Sequence, residues 1–554
     1  MILRLACVLA LALGAAPAGA ARLFIQHVNG YTLDARGELQ RFEVMLIDDG
    51  KVVATGTQAA LAERAGKARV LDGQGRTLLP GLIDAHGHVM GLGMALRRAD
   101  LAGTTSLDQA LARAKAWAAA HPELAWVQGR GWNQEIWKLG RFPTAVELDR
   151  AVADRPAWMV RVDGHAGWAN SAAMKLAGID RDTPDPPGGR IERDADGRPS
   201  GVLVDAAMQL VAAKIPPMDP AEAARVLDAA LAQMARVGLT GVHDAGADAD
   251  TVALYRRHAD AGRLTARIYA MIGGTAGDFD RLARTGPLVD YGEGFLSVRA
   301  VKLYADGALG SRGAALLAPY ADAPDNRGLL FHTPAELTAS IGKAIGKGYQ
   351  VAVHAIGDRA NREVLDAFAA VYEVQGGQAL RNRIEHAQVV APADLPRFRT
   401  LGLIASMQPT HATSDMNMAE DRLGHARMRG AYAWHSFLAQ GTLVAAGSDF
   451  PVESPNPFYG LHAAVTRQDH AGRPPGGWYP AERMSLAQAL RAFTLDAAYA
   501  GHAEKALGSL EPGKAADFIL IDRDIFTQAP ARLWSTRVLE TWVAGKRVFA
   551  RPGD

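Results

Sequence analysis

The sequence predicts an α/β fold: a (β/α)8 TIM-type barrel with an insertion, plus a small β-sandwich domain built from both chain ends. Three observations predict it. Short apolar runs alternate with Ala-rich amphipathic stretches through the middle of the chain. Both ends are instead rich in strand-like runs separated by turn residues. At 554 residues the chain exceeds one small domain and has room for a barrel with a satellite.

From the amino terminus, Arg4 supplies a positive flank, residues 5–14 an apolar run, and Ala18-Gly19-Ala20 an A-x-A cleavage pattern. The run is shorter than the roughly 20 residues a spanning helix needs. The expectation is a signal peptide over 1–20, an exported protein (periplasmic or secreted), and no stable membrane insertion after cleavage. Cys7, the single cysteine, leaves with that segment, so the mature chain has neither a disulfide nor a thiolate ligand. Loss of Arg4 also leaves 59 basic against 59 acidic residues. That balance gives no reason to expect nucleic acid or an anionic membrane as partner and leaves a small molecule as the expected one. A homo-oligomer is compatible with it.

Residues 22–79 contain LFIQHVNGYTL and FEVMLIDDGKVVATG, with Asp49-Gly50 as a tight hairpin turn. Residues 508–554 carry AADFIL, VLETWV and KRVF. The two ends together predict the small β domain. Residues 80–507 then predict the barrel. Its candidate strands are LIDAHGHV, AWVQGRGW, AWMVRVDGH, TGVHDAG, VRAVKLYADG, QVAVHAIGD, NRIEHAQ, LIASMQPTH and LVAAGSDFPV, with helices over 107–120 and 220–237 among the intervening stretches. Nine runs exceed eight strands, so one or two belong to inserted structure; the Pro/Gly-rich piece around 182–201, with Asp196-Gly197 as a hairpin turn, is the candidate.

The strand ends carry the chemistry. His86 and His88 alternate on one strand and therefore project to the same face, a natural two-point chelate for a transition metal. With 16 histidines in the chain the pair alone is weak. Lys302, His354, His386 and Asp449 each stand at or near the carboxyl end of a further apolar run. In a parallel barrel those ends converge on one face, where such barrels do chemistry. Two blander readings stay open: Lys302 as a structural lysine paired with Asp306, and Asp449 as a capping aspartate at a loop start.

The order His-x-His, Lys, His, His, Asp resembles the amidohydrolase superfamily. The phrases PGLIDAHGHV, VKLYADGALGSR, VHAIGDRAN, RIEHAQ and GSDFPVESPNPF are similar to its family-3 branch, which includes N-substituted formamide deformylases. The closing GSLEPGKAADFILID is similar to the superfamily's carboxyl-terminal β-domain signature. The resemblance spans nearly the whole mature chain but departs from the D-aminoacylase relatives, which bring a cysteine to the metals. It implies that His86 and His88 hold the more buried ion with Asp449 completing its shell, that His354 and His386 hold the second, and that Lys302 bridges the two as a carbamate. Two zinc ions fit that donor set best, with manganese or iron as alternatives.

The activity implied is hydrolysis of a non-peptide carbon–nitrogen bond. A metal-activated hydroxide would attack an amide, formamide or cyclic amide carbonyl, with Asp449 as proton shuttle. Hydrolysis of an ester, lactone or phosphoester by the same centre is the alternative, followed by a non-catalytic exported solute-binding barrel. Substrate-binding candidates are His165, Arg130, Trp132, Tyr304, Arg312 and His411, with Trp168 near them; packing or surface roles fit each of these equally. Asp244 reads as a helix cap.

Overall fold

The computed structural model describes residues 22–553 other than 135, 162–165, 188 and 311. The segment expected to be a signal peptide, with Cys7, and the candidate His165 lie outside the described residues.

Eight parallel strands form a nearly closed barrel: β1 (Leu82–Gly87), β2 (Leu239–Ala247), β3 (Arg267–Gly273), β4 (Leu296–Tyr304), β5 (Gln350–Ala355), β6 (Arg383–His386), β7 (Ile404–Met407) and β8 (Val444–Ala446). Each is paired in parallel register with the next. Ladder pairing stops between β8 and β1, and a single parallel bridge between Gly87 and Phe450 spans that seam. Strands packed on both faces read as continuous apolar runs, which is why the pattern was visible in sequence. Between them lie amphipathic helices such as Pro334–Gly346, whose start is fixed by Pro334 and a capping box between Thr333 and Glu336.

Seven of the nine sequence runs are barrel strands. The eighth strand, β3, is RIYAMIG; it ends in glycine instead of an ionisable residue and so lacks the strand-end signature of the others. The remaining two runs lie elsewhere. Residues Val89–Leu231 form a compact unit of their own, with a six-stranded sheet that contains Val127–Trp132 and Ala157–Arg161 as a parallel pair. Inserted structure is therefore far wider than 182–201, which supplies only its antiparallel hairpin of Gly189–Arg193 and Pro199–Asp205. Local strand–helix alternation is the same in both units and cannot say which sheet a strand joins. The helix Leu107–Ala120 in this unit has the limits expected from sequence, with the Ser106 hydroxyl capping the N–H of Gln109.

The two chain ends meet in the other unit. One sheet orders Lys51–Gly56, Val44–Asp48, Leu23–Gln26 and Arg69–Asp72, with Asp49-Gly50 at φ 46° and 70° making the hairpin turn. A second sheet combines Phe518–Ile521, Val538–Val543 and Lys546–Ala550 from the carboxyl end with Thr77–Pro80, Asn29–Leu33 and Leu39–Phe42. Side chains of both sheets, among them Ile25, Met45, Phe518, Leu520 and Trp542, share one buried apolar cluster. Each such side chain contributes roughly 1.5–3 kcal/mol on burial. Arg267 of β3 reaches the buried Asp517 at 2.7 Å and ties the barrel to these sheets.

Candidate metal centre

The barrel seam places the first donors. The Asp449 N–H donates to the His86 carbonyl at 2.7 Å, and the His88 N–H donates to the Phe450 carbonyl at 2.8 Å. Two glycines allow this approach. A Cβ on Gly87 would lie 2.6 Å from the Phe450 ring, and one on Gly447 would lie 2.6 Å from both the Asp84 carboxylate and the His86 nitrogen. Asp84 locks the arrangement, accepting from the His86 N–H at 3.0 Å and from the Ser448 hydroxyl at 2.6 Å. Burial pushes its pKa up to about 7. His386 and Asp449 both sit in the left-handed region, at φ 72° and 60°, an uncommon conformation for residues with a Cβ that recurs at functional sites.

The barrel gathers every strand-end residue singled out in the sequence toward this seam. One ligand atom each of His86, His386 and Asp449 lie within 4.8 Å of one another. His88 Nε2 is 3.0 Å and His86 Nε2 3.6 Å from Asp449 Oδ1. The His354 ring stands 4.5 Å from that of His386, which stands 4.9 Å from that of His86. Lys302, 1% exposed, lies over the Tyr304 ring at 3.8 Å and is close enough to depress both His354 and His86. Asp306 is not its partner: both carboxylate oxygens accept backbone N–H groups, from Ile356, Gly357 and Ala315. Asp449 caps no helix; the next one starts at Pro457 with Asn456 as its cap.

The electrostatics suit cation binding. Burial holds His86 and His386 below the ordinary histidine range and His354 at about 3, so their imidazoles are neutral at physiological pH with lone pairs available. Burial likewise lowers Lys302 to about 8, against the opposing pull of Glu385 and Asp449. Burial would raise Asp449, but the hydrogen bond from His88 and the neighbouring His86 and His386 outweigh it and hold the carboxyl well below its usual range. Three buried ring nitrogens, Nε2 of His86, His354 and His411, have no hydrogen-bond partner among the described residues. Buried polar atoms are ordinarily paired, and divalent ions would satisfy these.

Of the substrate-binding candidates, two border the cluster. His411 stacks on His386 at 5.8 Å with its Nε2 3.8 Å from Asp449 Oδ2, and Tyr304, 39% exposed, lies 5.5 Å from the His354 ring. Arg312 instead pairs with Asp322 at 2.9 Å. Trp132 is fully buried in the core of the inserted unit, where its indole N–H donates to the Met159 carbonyl at 2.7 Å and its ring packs edge-on to Trp168. Both tryptophans therefore serve packing. Arg130 is an exposed residue of the same unit. Asp244 is buried in β2 and accepts from the Tyr255 hydroxyl at 2.8 Å.

Sequence reasoning missed the groups beneath the cluster. Glu385 takes the Nδ1–H of His86, and Gln408 takes that of His386 at 2.7 Å. Arg383 grips Glu385 through both oxygens, at 2.7 and 2.9 Å. A signal was present in RIEH, where alternation puts Arg383 and Glu385 on one face of a strand too buried for unpaired charge.

The Amidohydrolase family's sequence profile matches residues 69–549. The chain is 33% identical to the amidohydrolase YtcJ of Bacillus subtilis (strain 168) over 530 residues, 94% of this chain and 98% of the relative. It is 30% identical to an N-substituted formamide deformylase of Arthrobacter pascens over 548 residues, 96% and 99% of the two chains. Among solved structures, a metal-dependent hydrolase of Pyrococcus horikoshii OT3 superposes with a TM-score of 0.78 at 25% identity, covering 92% of this chain and 99% of the other.

Proposed function

Because the chain belongs to the amidohydrolase family, hydrolases of carbon–nitrogen bonds, we propose that it cleaves an amide, formamide or cyclic amide of a small molecule at a two-zinc centre on the barrel rim. The observation that carries this reading is the set of buried, unpartnered imidazole nitrogens facing Asp449 at the seam. In this reading His86, His88 and Asp449 would hold one ion and His354 and His386 the other, with Lys302 as a further ligand in its carbamate form. The bound ions supply Lewis acidity, which makes a water nucleophilic near neutral pH and polarises the substrate carbonyl.

The chain's own groups do the rest. Asp449 stays ionised at neutral pH and accepts the proton of the attacking water. As the carbon–nitrogen bond breaks, the same carboxyl hands that proton to the departing nitrogen, leaving an acid and an amine. Glu385 and Gln408 fix the rings of His86 and His386 so that each presents its Nε2. Tyr304 offers a half-exposed aromatic face beside the centre for the organic part of the substrate.

The A-x-A pattern before residue 21 supports export of the mature chain, and intact-mass measurement of the protein from cell envelope and medium checks cleavage after Ala20. No described helix is long and apolar enough to cross a membrane. The functional test is a panel of N-formyl, N-acyl, cyclic amide and ester substrates assayed before and after treatment with a chelator. The expected result is turnover of at least one amide class that the chelator abolishes and zinc restores. Turnover confined to esters, or unaffected by metal removal, contradicts the reading.

A further inference from the structure

We infer that Glu385, clamped by Arg383, is a positioning residue that sets the zinc affinity of His86. This rests on the proposed role of His86 as a ligand. Glu385 and Arg383 are both 0% exposed, deep among the barrel strands, where charges persist only when paired. Arg383 reaches three other strands besides satisfying Glu385: it donates to the Ala85 carbonyl of β1 at 2.6 Å, the Ser406 hydroxyl of β7 at 2.8 Å and Nδ1 of His243 in β2 at 2.7 Å, from its own place on β6. The guanidinium's rigid fork is thus fixed by five hydrogen bonds, and it fixes the carboxylate in turn.

That carboxylate makes one contact toward the rim, accepting the Nδ1–H of His86. The consequence is geometric. Holding the proton on Nδ1 leaves the lone pair on Nε2, and this Nε2 is the buried, unpartnered nitrogen 3.6 Å from Asp449. Without the carboxylate the ring is free to turn or to carry its proton on Nε2, and either change removes the donor. His386 has a neutral counterpart in Gln408. The two rings therefore differ in that the partner of His86 alone is anionic and braced across the barrel.

The test is zinc retention against a competing chelator, measured on the full-length protein by elemental analysis, together with the visible spectrum after cobalt substitution. Glu385→Asp keeps the charge balance with Arg383 but withdraws the carboxylate from His86 by one methylene. Glu385→Gln keeps an acceptor and removes the charge. Both are expected to weaken zinc binding by about 10–100-fold, the usual effect of losing a ligand's supporting partner, and to alter the cobalt bands. If Glu385→Gln does not fold because Arg383 is left unpaired, Glu385→Asp decides. His86→Asn in the same assay separates the two layers. Full zinc retention in His86→Asn means the ligand reading itself is wrong. Loss there, with wild-type affinity and spectrum in the Glu385 variants, overturns the positioning role alone.

Discussion

The inserted unit and the barrel rim are built from sequence runs that look alike, yet the polar groups at the strand ends of the rim fare differently from Asn170 and the core indoles of the inserted unit, although Trp117 Nε1 and Arg155 Nε of that unit also lack a hydrogen-bond partner among the described residues. In the inserted unit Asn170, fully buried, accepts the N–H groups of Ala157 and Ala173 and donates to the carbonyls of Val152 and Arg155. The indoles of Trp132, Trp137 and Trp168 each find a backbone carbonyl. At the rim, the buried Nε2 atoms of His86 and His411 face Asp449 at 3.6 and 3.8 Å and that of His354 lies 3.6 Å from Asp306, yet none of the three has a hydrogen-bond partner among the described residues. Satisfied polar groups specify packing; convergent unsatisfied ones mark a place where the fold leaves its bonds to a ligand. The strand pattern is common to both regions, so the pairing of atoms is what separates scaffold from site.

Substitutions can break that contrast, and the largest effect falls at the rim. Asp449→Asn is expected to keep its metal and lose about 10²–10⁴-fold in kcat, as happens when a proton-transfer group is removed. Near-normal turnover in that variant would move the shuttle to another group, His411 being the nearest on Asp449 Oδ2. Lys302→Ala should bind one metal equivalent fewer, with part of the lost activity returned by millimolar short carboxylates that occupy the bridging position. A full metal complement with no added acid would rule out the carbamate.

Trp132→Ala tests the opposite pole. It should destabilise the inserted unit by about 3–5 kcal/mol, seen as an early transition in thermal unfolding, while metal content stays at the wild-type level. Loss of metal in the folded variant would show that the two regions are not as separable as their hydrogen bonding implies. The smallest effect is expected at His502, a histidine whose Nε2–H is already satisfied by the Leu380 carbonyl at 3.1 Å. Burial holds its pKa at about 4, below the ordinary value of about 6.5. Between those two values the unfolded chain takes up a proton that the folded chain refuses, so stability falls as pH drops from about 6.5 to about 4. His502→Gln should flatten that limb of the Tm–pH curve by on the order of 1 °C. An unchanged limb would mean the ring titrates normally in the folded protein.

The limits of the sequence follow from the same contrast. Strand ends that carry His86, Lys302, His354, His386 and Asp449 were legible because a fully buried strand has few reasons to end on an imidazole or a lysine. β3 was not legible, since RIYAMIG closes on glycine. Trp132 and Arg130 were drawn toward the site because GRGWN also ends an apolar run, and nothing local says that its strand pairs with Ala157–Arg161 in another sheet. The Glu385–Arg383 brace needs four strands to be understood. Its partners His86, Ser406 and His243 lie 299, 23 and 140 residues away from the residue each one meets, beyond the reach of any local pattern.

The most direct test of the central claim is anomalous diffraction at the zinc absorption edge from crystals of the protein as isolated. Two peaks are expected at the barrel seam, one of them about 2.0–2.1 Å from His86 Nε2 and another at the same distance from a ring nitrogen of His354 or His386. A well-diffracting crystal of active enzyme with no anomalous density among these residues would contradict the account.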